Sequence, residues 1–359
     1  MAQFNIYRSS DPGAPNLIGV AGALITLLDQ CLVNGYGTGS NFKSGSGWTK
    51  PLPNSASVLG CWKQGSGSMC TLFVNDNAPN TTLTTGSGGG LEKDAWATGY
   101  ESIIDLTSSA VGNGIGQFPF NGQQIAGANT NGPPSGSLIW RKSNYTVAAS
   151  ISPWIMFADE RTFYLFVQAF DTDWVTYYFY GFGDIYSYKQ TYDQYKCMIV
   201  GRSGIHAINS QRYDNGDSVM LPGEQGWKSS FIARQAGGMG RSVEIIKNGN
   251  TGFFQASNRI AQNPDGSVGY GTSTQGSYSL LDDYSVLITP VLVVEPGTGQ
   301  LIRGEWRGMY MLSIYAHTVS DGQILDGANE LIGRRFYVVK QGPSGGMWLI
   351  EISNTLNTN

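Results

Sequence analysis

The sequence predicts a mainly β protein, with β-sandwich-like domains and a short N-terminal helix. Glycine is abundant, at 49 of 359 residues, and only 13% of the residues are charged. The glycine share is roughly twice that of typical domains, and the charged share is about half. Aromatic residues make up 12% of the chain, whereas disordered proteins have few aromatics and a high net charge. Together with apolar residues that alternate along most of the chain, this composition is typical of a β-rich protein with glycine-marked turns.

The short helix is predicted over Leu17–Val33. Apolar residues recur there at the i, i+3, i+4 spacing of one helix face, and they are Leu17, Val20, Ala21, Leu24, Leu27, Leu28, Cys31 and Leu32. Pro15 and Asn16 supply a start, with Asn16 as the N-cap. Asn34-Gly35 supplies the stop, because glycine readily takes the left-handed conformation that ends a helix.

The stretch after this helix, GYGTGSNFKSGSGWTK, has the composition of a phosphate-binding loop but the wrong position. A phosphate-binding loop follows a strand and opens a helix, where free N–H groups and the positive end of the helix dipole face the anion. Gly35, Gly37 and Gly39 instead follow a helix, and no Gly-Lys-Ser/Thr comes after them. We therefore expect a helix cap and a loop here, with Trp48 anchoring the return of the loop, and no nucleotide site.

Beyond this loop, a periodicity of two residues predicts successive strands. VLGCWKQGSGSMCTLFV predicts a hairpin, and DAWATGYESIIDL, SLIWRKS, YTVAASISPWIMFAD and RTFYLFVQAF predict further strands. Later, YSVLITPVLVVEP is strongly apolar, and RRFYVVKQGPSGGMWLIEIS predicts a second hairpin. A change to short turns near Ser203 predicts two units: residues 1–203, with the helix and a β-rich domain, and residues 204–359, with a C-terminal β-rich domain.

Cysteine usage and the N-terminus favour a cytoplasmic protein. MAQFNIYRSSDPGAP lacks the basic and apolar regions of a secretory signal, and the apolar run near Leu17–Leu28 is too short to span a bilayer. We therefore expect Cys31, Cys61, Cys70 and Cys197 to be reduced and mostly buried thiols. A disulfide between Cys61 and Cys70, across the first hairpin, is the alternative.

Charge gives no sign of a nucleic-acid or membrane partner. The net charge of -4 is spread along the sequence without blocks of one sign. Proteins that bind nucleic acids or anionic membranes usually carry basic patches. We therefore expect neither partner.

Motifs that could support catalysis or bind a metal each have a simpler interpretation. GPSGG at residues 342–346 matches G-x-S-x-G, but a strand is predicted after Ser344 and no histidine lies downstream, as a nucleophile elbow requires. His206 and His317 have no Cys or His nearby at ligand spacing. DNGDSV from Asp214 lacks the order of an EF-hand loop, although an irregular oxygen site stays open. We predict no catalytic, cofactor-binding or metal-binding residues.

The densest feature is Phe163–Tyr195, which holds 14 aromatics among 33 residues. Stacked aromatic rings suit a glycan-binding face. The alternative is cross-strand packing, with some tyrosines at subunit contacts. We favour packing because the aromatics fall on both parities of the strands, so a glycan partner is possible but not favoured.

Acidic residues among these aromatics raise the possibility of a glycosidase. Such an enzyme needs two carboxyl groups across a cleft, and the candidates are Asp159, Glu160, Asp171, Asp173 and Asp184. An ordinary charged turn explains the first two, and a strand end explains the Asp171–Asp173 pair. A hydrolase of surface polysaccharide is therefore kept only as an alternative.

Several segments follow one another in a distinctive order. The chain opens with APNLIGVAGALITLLDQCLVNGYG and GWTKP, and continues with ATGYES, QFPFNGQQ, IWRKS, WIMFADERTFYLF and YGFGDIYSYKQTYDQYKCMIVGR. Late segments are ITPVLVVE, LIRGEWRGMY and IGRRFYVV. In these the chain resembles a family of virion structural proteins of tailed bacteriophages, which typically have a short helix, then LV-x-GYG, then GWTK. Two features depart from the family: the insert Gly37–Ser46, and Trp306-Arg307 where a smaller, apolar dipeptide is expected.

The resemblance implies a non-enzymatic component of the virion, in the tail or baseplate, without catalytic residues or cofactors. Its partners are then other virion proteins, and it is assembled in the host cytoplasm. We also expect a homo-oligomer or a ring of copies, since glycine-rich loops such as Thr85–Gly90 and Tyr270–Ser277 can wrap onto neighbours. The alternatives are a receptor- or glycan-binding tail module and a neck or capsid-decorating virion protein.

Overall fold

The computed structural model describes residues 3–56, 58–76, 93–106, 113–118, 137–143, 151–168, 177–189, 192–201, 230–233, 288–295, 301–312, 319–340 and 347–353. Within these ranges the chain is mainly β, with antiparallel sheets and one short α-helix near the N-terminus. The predicted fold class is therefore confirmed. None of the helices in these ranges has the length and apolar character needed to cross a membrane.

The regular elements follow the predicted order. The helix α1 spans Ala23–Leu28 and continues as a π-helical turn over Asp29–Asn34. The strands are β1 (Asn5–Arg8), β2 (Leu59–Lys63), β3 (Thr71–Asn75), β4 (Lys93–Tyr100), β5 (Ser102–Ile103), β6 (Gly114–Ile115), β7 (Leu138–Ser143), β8 (Trp154–Ala158), β9 (Thr162–Gln168), β10 (Tyr177–Ser187), β11 (Cys197–Gly201), β12 (Ser230–Ala233), β13 (Ile288–Glu295), β14 (Leu301–Leu312), β15 (Ile324–Asp326), β16 (Arg335–Lys340) and β17 (Met347–Ile352).

The largest sheet has eleven strands and curls until it closes. Strands β1, β8, β9, β10, β14 and β17 follow one another as hydrogen-bonded neighbours. Phe4, just before β1, forms a bridge with Ile352 at the end of β17. The Phe4 N–H donates to the Glu351 carbonyl at 3.3 Å, and the Ser353 N–H donates to the Phe4 carbonyl at 3.1 Å. The first and last described strands are thereby joined, which makes a closed circuit.

Strand β10 changes partner near its end. Residues up to Gly183 pair with β9, and Ile185–Ser187 pair with β14. Gly183 has a φ of 141°, and a Cβ there would collide with the carbonyl oxygen of Arg161. Only glycine allows this close approach without strain, so the change of partner depends on a residue without a side chain.

Both faces of the curled sheet are buried. An inner cluster inside the circuit takes alternate residues of β8 to β10, namely Ile155, Phe157, Tyr164, Phe166 and Phe179. An outer cluster takes the intervening residues, namely Trp154, Met156, Phe163, Leu165, Tyr180 and Phe182. The outer cluster also contains residues of α1 and of the second sheet, in which β2, β3, β4 and β7 are neighbours. Most described aromatics of Phe163–Tyr195 thus serve packing on two faces.

The predicted helix is wrong in its start. Residues 15–22 are not helical, and Asn16 is not the N-cap. Gly22, with a φ of 84°, precedes α1 instead, and the first-turn N–H of Leu24 donates to Asp76 Oδ2 at 2.9 Å. Asp76 itself is buried in an ion pair with Lys142. The carboxylate of Asp76, directly after β3, therefore caps the helix. Residues near Asn16 give no sign of this distant cap.

The end and the buried face of the helix are as predicted. Gly35 has a φ of 79° and follows the last helical residue. Leu24 and Leu28 are both buried, which confirms their assignment to the core. Val20 and Ala21, by contrast, are exposed, because they precede α1 and do not share its face.

The first predicted hairpin is confirmed as β2 paired with β3. Cys61 lies opposite Phe73 and packs in a small cluster with Tyr100 and Leu106. Cys70 belongs to the outer cluster, on another face. All four cysteines are buried thiols, and burial raises the pKa of the Cys61 thiol to about 11. The alternative of a Cys61–Cys70 disulfide is therefore not realised.

Strands from both predicted units lie in the curled sheet, since β10 pairs with β14 and β1 meets β17. Residues 202–229, just after the predicted boundary, lie outside the described residues, and the division at Ser203 stays a prediction. Other predictions that fall outside the described residues concern His206, His317, Asp214, Asp171, Asp173, Ser344, Thr85–Gly90 and Tyr270–Ser277.

Candidate functional site

A cleft of about 310 Å³ opens where β10 passes from β9 to β14. It is bordered by the β8–β9 turn, by the segment between β10 and β11, and by β14. Its lining residues are Arg161, Asp184, Ile185, Tyr186, Ser187, Lys189, Tyr192, Asp193, Lys196 and Arg307. Most come from the second half of the aromatic block, and β14 brings Arg307 to them from far along the chain.

Asp184 forms part of the floor of the cleft. Its Oδ1 accepts a hydrogen bond from Gln64 Nε2 at 3.0 Å, and its Oδ2 accepts one from the Ser68 N–H at 3.0 Å. Lys196 Nζ lies 3.5 Å from the same Oδ2. Both oxygens of this buried carboxylate are therefore occupied, and they tie β10 to the β2–β3 hairpin.

Asp193 is held by Arg303 of β14. The guanidinium contacts both carboxylate oxygens, with Nη2 at 3.0 Å from Oδ1 and Nε at 3.2 Å from Oδ2. Ser187 Oγ also donates to Oδ2, at 2.7 Å. Burial raises the pKa of the Asp193 carboxyl, but the hydrogen bonds and charge of Arg303 outweigh burial, so the pKa is lowered. Asp193 therefore stays ionised.

Asp159 lies in the β8–β9 turn, behind the cleft. Its Oδ1 accepts the N–H groups of Arg161 and Thr162, each at 2.8 Å, and its Oδ2 accepts Arg307 Nη2 at 2.7 Å. Burial raises the pKa of the Asp159 carboxyl, and the charge of Arg307 opposes that rise. The carboxylate thus stabilises the β8–β9 turn and holds β14 against that turn.

Trp306 and Arg307 each have a structural use here. Trp306 is buried, and its ring stacks on Tyr164 with centroids 5.6 Å apart. Arg307 pairs with Asp159 and contributes to the cleft wall. The ring of Trp306 therefore packs in the core while the neighbouring cation holds the β8–β9 turn against β14.

The rim of the cleft differs from its floor, because it exposes tyrosine rings and cations. Tyr186 is 60% exposed and Tyr192 is 74% exposed. Lys196 Nζ lies 6.0 Å from the centroid of the Tyr192 ring. Tyr188, next to the cleft, donates its hydroxyl to Glu305 Oε2 at 2.9 Å, and burial and that carboxylate raise its pKa to about 12. Among the described side chains of the aromatic block, these tyrosines lie outside the core clusters.

Of the acids proposed for a glycosidase, the structure describes Asp159, Glu160 and Asp184, and of these only Asp184 lines the cleft. Asp184 lines the cleft and Asp159 lies behind it, but each is engaged by cations and N–H groups. Glu160 is exposed and accepts a hydrogen bond from Ser66 Oγ at 3.1 Å. The second acid in the cleft is Asp193, which the sequence analysis did not single out, because its partner Arg303 lies 110 residues away. Among the described residues, no group of three or more potential ligands could hold a metal ion.

Side chains of the glycine-rich loop after the helix hold the loop against the rest of the fold. Lys43 Nζ, its cation, pairs with Asp11 Oδ2 at 2.7 Å, and Tyr36 donates its hydroxyl to the same oxygen at 2.6 Å. Trp48 is buried, and its indole N–H donates to the Asp159 carbonyl at 2.6 Å. Trp48 anchors the loop as predicted, and the loop packs against β1's turn.

No protein-family model matches the chain. No curated protein matches its sequence either.

Proposed function

We propose that this chain is a non-enzymatic structural component of a tailed-phage virion, in the tail or baseplate. It acts through repeated contacts with other virion proteins and with further copies of itself. The proposal starts from the ordered resemblance of the sequence to the phage family. The geometry of the curled sheet supports it in three ways.

The observation that carries the proposal is that the resembling segments pack together. WIMFADERTFYLF forms β8, its turn and β9, and YGFGDIYSYKQTYDQYKCMIVGR contains most of β10 and all of β11. LIRGEWRGMY forms most of β14, which pairs with β10. The pairs Asp159–Arg307 and Asp193–Arg303 join these segments. The part of the sequence with the most specific likeness is therefore one packed unit.

The state of the acids supports a role without catalysis. Glycoside hydrolysis needs one carboxyl group that can give up a proton and a second that can act as a base or nucleophile. Asp184 and Asp193 have both oxygens occupied, and Asp193 has a lowered pKa. Such carboxylates are suited to holding strands together rather than to moving protons.

Exposed apolar side chains support a role in assembly. Ile104 directly follows β5 and Ile115 ends β6, and they are 63% and 62% exposed. Ile332, near β16, is also exposed. Single exposed apolar residues are common, but apolar groups on one ribbon are what a partner protein covers. Low overall charge adds to this, since such a surface is less soluble alone.

The proposal is tested by reconstructing purified virions at a resolution that traces side chains, after mass spectrometry of the same particles. We expect this chain in fixed stoichiometry with the tail proteins, as a ring of copies whose interfaces exceed roughly 800 Å², the upper range of crystal contacts. A host protein of similar abundance, lost during purification, is the control. Absence from mature particles would overturn the proposal. Density at the neck or on the capsid would instead favour those alternatives over the tail.

A further inference from the structure

The cleft beside β10 brings two kinds of surface together. Exposed aromatic rings lie at its rim, and cations stand between and beside them. We propose that this cleft binds a single acidic sugar residue, that is, a pyranose ring that carries a carboxylate. The binding is a property of the isolated chain and does not require the particle.

Two exposed tyrosine rings of the cleft would contact the sugar ring. Tyr186 and Tyr192 line the cleft with most of their surface in solvent, whereas Tyr164 and Tyr180 of the same block are buried. The face of an aromatic ring is electron-rich. It therefore attracts the polarised C–H groups of a sugar ring, and the phenol hydroxyl adds a hydrogen-bonding group at its edge. Two such rings at one opening form a platform for a pyranose.

The charged residues of the cleft favour a ligand that carries a carboxylate. The ionisable lining residues are four cations and two acids, namely Arg161, Lys189, Lys196, Arg307, Asp184 and Asp193. Lys196 pairs with Asp184, Arg307 pairs with Asp159 behind the cleft, and Asp193 pairs with Arg303. Arg161 Nε lies 3.6 Å from Glu160 Oε1, but both side chains are about half exposed, so solvent screens this pair. Arg161 therefore keeps most of its charge available at the rim, and this charge favours an anionic ligand.

Arg161 is the residue that would recognise the carboxylate. Its Nε donates to Ser66 Oγ at 2.8 Å, and this bond orients the guanidinium. Glu160 Oε1 lies 3.6 Å from the same Nε, and within the described residues no protein group accepts a hydrogen bond from the terminal nitrogens Nη1 and Nη2. A planar guanidinium with two such nitrogens matches the two oxygens of a carboxylate. Lys196 Nζ lies 3.5 Å from Asp184 Oδ2 and 6.0 Å from the Tyr192 ring centroid, so its charge is shared with that carboxylate.

The size of the cleft decides between a sugar and a peptide. At about 310 Å³, it lies at the small end of ligand pockets, which measure roughly 300–1,000 Å³. One sugar ring fits this volume, whereas an acidic peptide would need a longer groove. The ion pairs on the floor also fix the walls before the ligand arrives, which lowers the entropic cost of binding.

The test is calorimetric titration of the purified chain with three acidic glycosides: methyl glucuronide, methyl galacturonide and the methyl glycoside of N-acetylneuraminic acid. Methyl glucoside and methyl galactoside are the neutral counterparts, and acetate and inorganic phosphate are anions without a ring. We expect at least one acidic glycoside to bind at least about tenfold more tightly than its neutral counterpart, since charge-assisted bidentate bonds are the strong ones. Both simple anions should bind more weakly than that glycoside.

Two variants assign the binding to the cleft. Tyr192→Ala removes a ring and Arg161→Gln removes the forked cation, and each should weaken binding by about tenfold or more. Phe42→Ala and Arg335→Gln change an exposed ring and a partly exposed cation outside the cleft, and they should leave binding unchanged. Circular dichroism and thermal unfolding of all four variants would show that each is folded.

Several results would overturn the inference. One is that none of the three acidic glycosides binds. A second is that phosphate or acetate binds as tightly as the best glycoside, because the cleft would then be a plain anion site. A third is that a short Glu- and Tyr-containing peptide binds more tightly than any sugar, because the cleft would then be a protein-docking surface. Equal losses in the cleft variants and the control variants would also contradict it.

Discussion

The two faces of strands β8 to β10 are equally buried but are covered in different ways. The inner face is covered by the sheet itself, which curls round so that β14, β16 and β17 contribute to the same cluster. The outer face is covered by α1 and by the sheet that contains β2, β3, β4 and β7. Apolar residues on both parities of a strand therefore predict that both faces are buried, but they do not predict what covers each face.

The chemistry of the two faces differs as well. On the inner face, rings pack mainly on one another: Tyr164 lies 5.4 Å from Phe4 and 5.6 Å from Trp306, measured between centroids. On the outer face, tryptophans also use their polar edge. Trp140 donates its indole N–H to the Val200 carbonyl at 2.8 Å, and Trp154 donates to the Pro15 carbonyl at 3.1 Å. Rings stack on both faces, as Trp140 does on Tyr180 with centroids 5.4 Å apart. On the inner face the Tyr164 hydroxyl donates to the Arg307 carbonyl at 3.0 Å, whereas on the outer face indole N–H groups make the directed bonds.

The largest expected effect is on the inner face, from Trp306→Ala. This change removes a fully buried indole that stacks on Tyr164 and lies 5.5 Å from Phe179. We expect a loss of about 3–5 kcal/mol in the free energy of unfolding, as for other buried Trp-to-Ala changes. Urea titration followed by fluorescence and by circular dichroism measures it. Ile332→Ala, at an exposed position, is the control and should change stability by less than about 0.5 kcal/mol.

A result below about 1 kcal/mol for Trp306→Ala would contradict the closed circuit. The inner cluster would then be loosely packed, and the pairing of β10 with β14 would not position this ring. A loss within the expected range would support the view that β14 is as central to the fold as β9.

The next effect is on the outer face, from Leu28→Ala. Leu28 is fully buried on α1, and its truncation should cost about 2–5 kcal/mol, with the exact value set by how far the cavity collapses. Val20→Ala removes apolar atoms from an exposed position just before the helix and serves as the matched control. Comparable losses in the two variants would mean that residues 15–22 are part of the packed helix after all.

A smaller, pH-dependent effect is expected at Asp193. Its folded pKa is lowered, so the stability that it contributes is present above its unfolded pKa, about 3.9, and is lost as the pH falls through the folded value. The difference in unfolding free energy between the wild type and Asp193→Asn should therefore be largest near pH 7 and shrink below about pH 3.9. Denaturant titrations at pH 7, 5, 4 and 3 measure it.

The control for this pH series is Asp326→Asn, because Asp326 is exposed although it pairs with Arg335 at 3.3 Å. Exposed pairs contribute little to stability, so this variant should track the wild type at every pH. If Asp193→Asn also tracked the wild type, the pair with Arg303 would not stabilise the floor of the cleft.

What the sequence could predict depends on the distance between partners along the chain. The β2–β3 hairpin and the end of the helical segment at Gly35 follow from neighbouring residues, and both are confirmed. The start of α1 was predicted wrongly because its cap, Asp76, lies 52 residues from Leu24. The cleft was only partly predicted: Asp184 was named as a candidate, but the two arginine ion pairs, Asp193–Arg303 and Asp159–Arg307, join residues more than a hundred positions apart.

The smallest expected effect is at Ser344, which matches the nucleophile motif. A nucleophile elbow needs a helix after the serine, where the backbone N–H groups help form the oxyanion hole. Three residues after Ser344, β17 begins, and it pairs with β14 and β16 while Trp348 and Ile350 point into the inner cluster. This segment cannot become a helix without breaking the closed circuit.

We therefore expect no labelling of Ser344 by a fluorophosphonate probe under conditions that label a serine hydrolase completely. Mass spectrometry of the digested protein is the readout, and Ser344→Ala is the control for background reaction. Stoichiometric labelling that this variant abolishes would show that the hairpin carries a reactive serine, and the non-enzymatic proposal would then fail at this position.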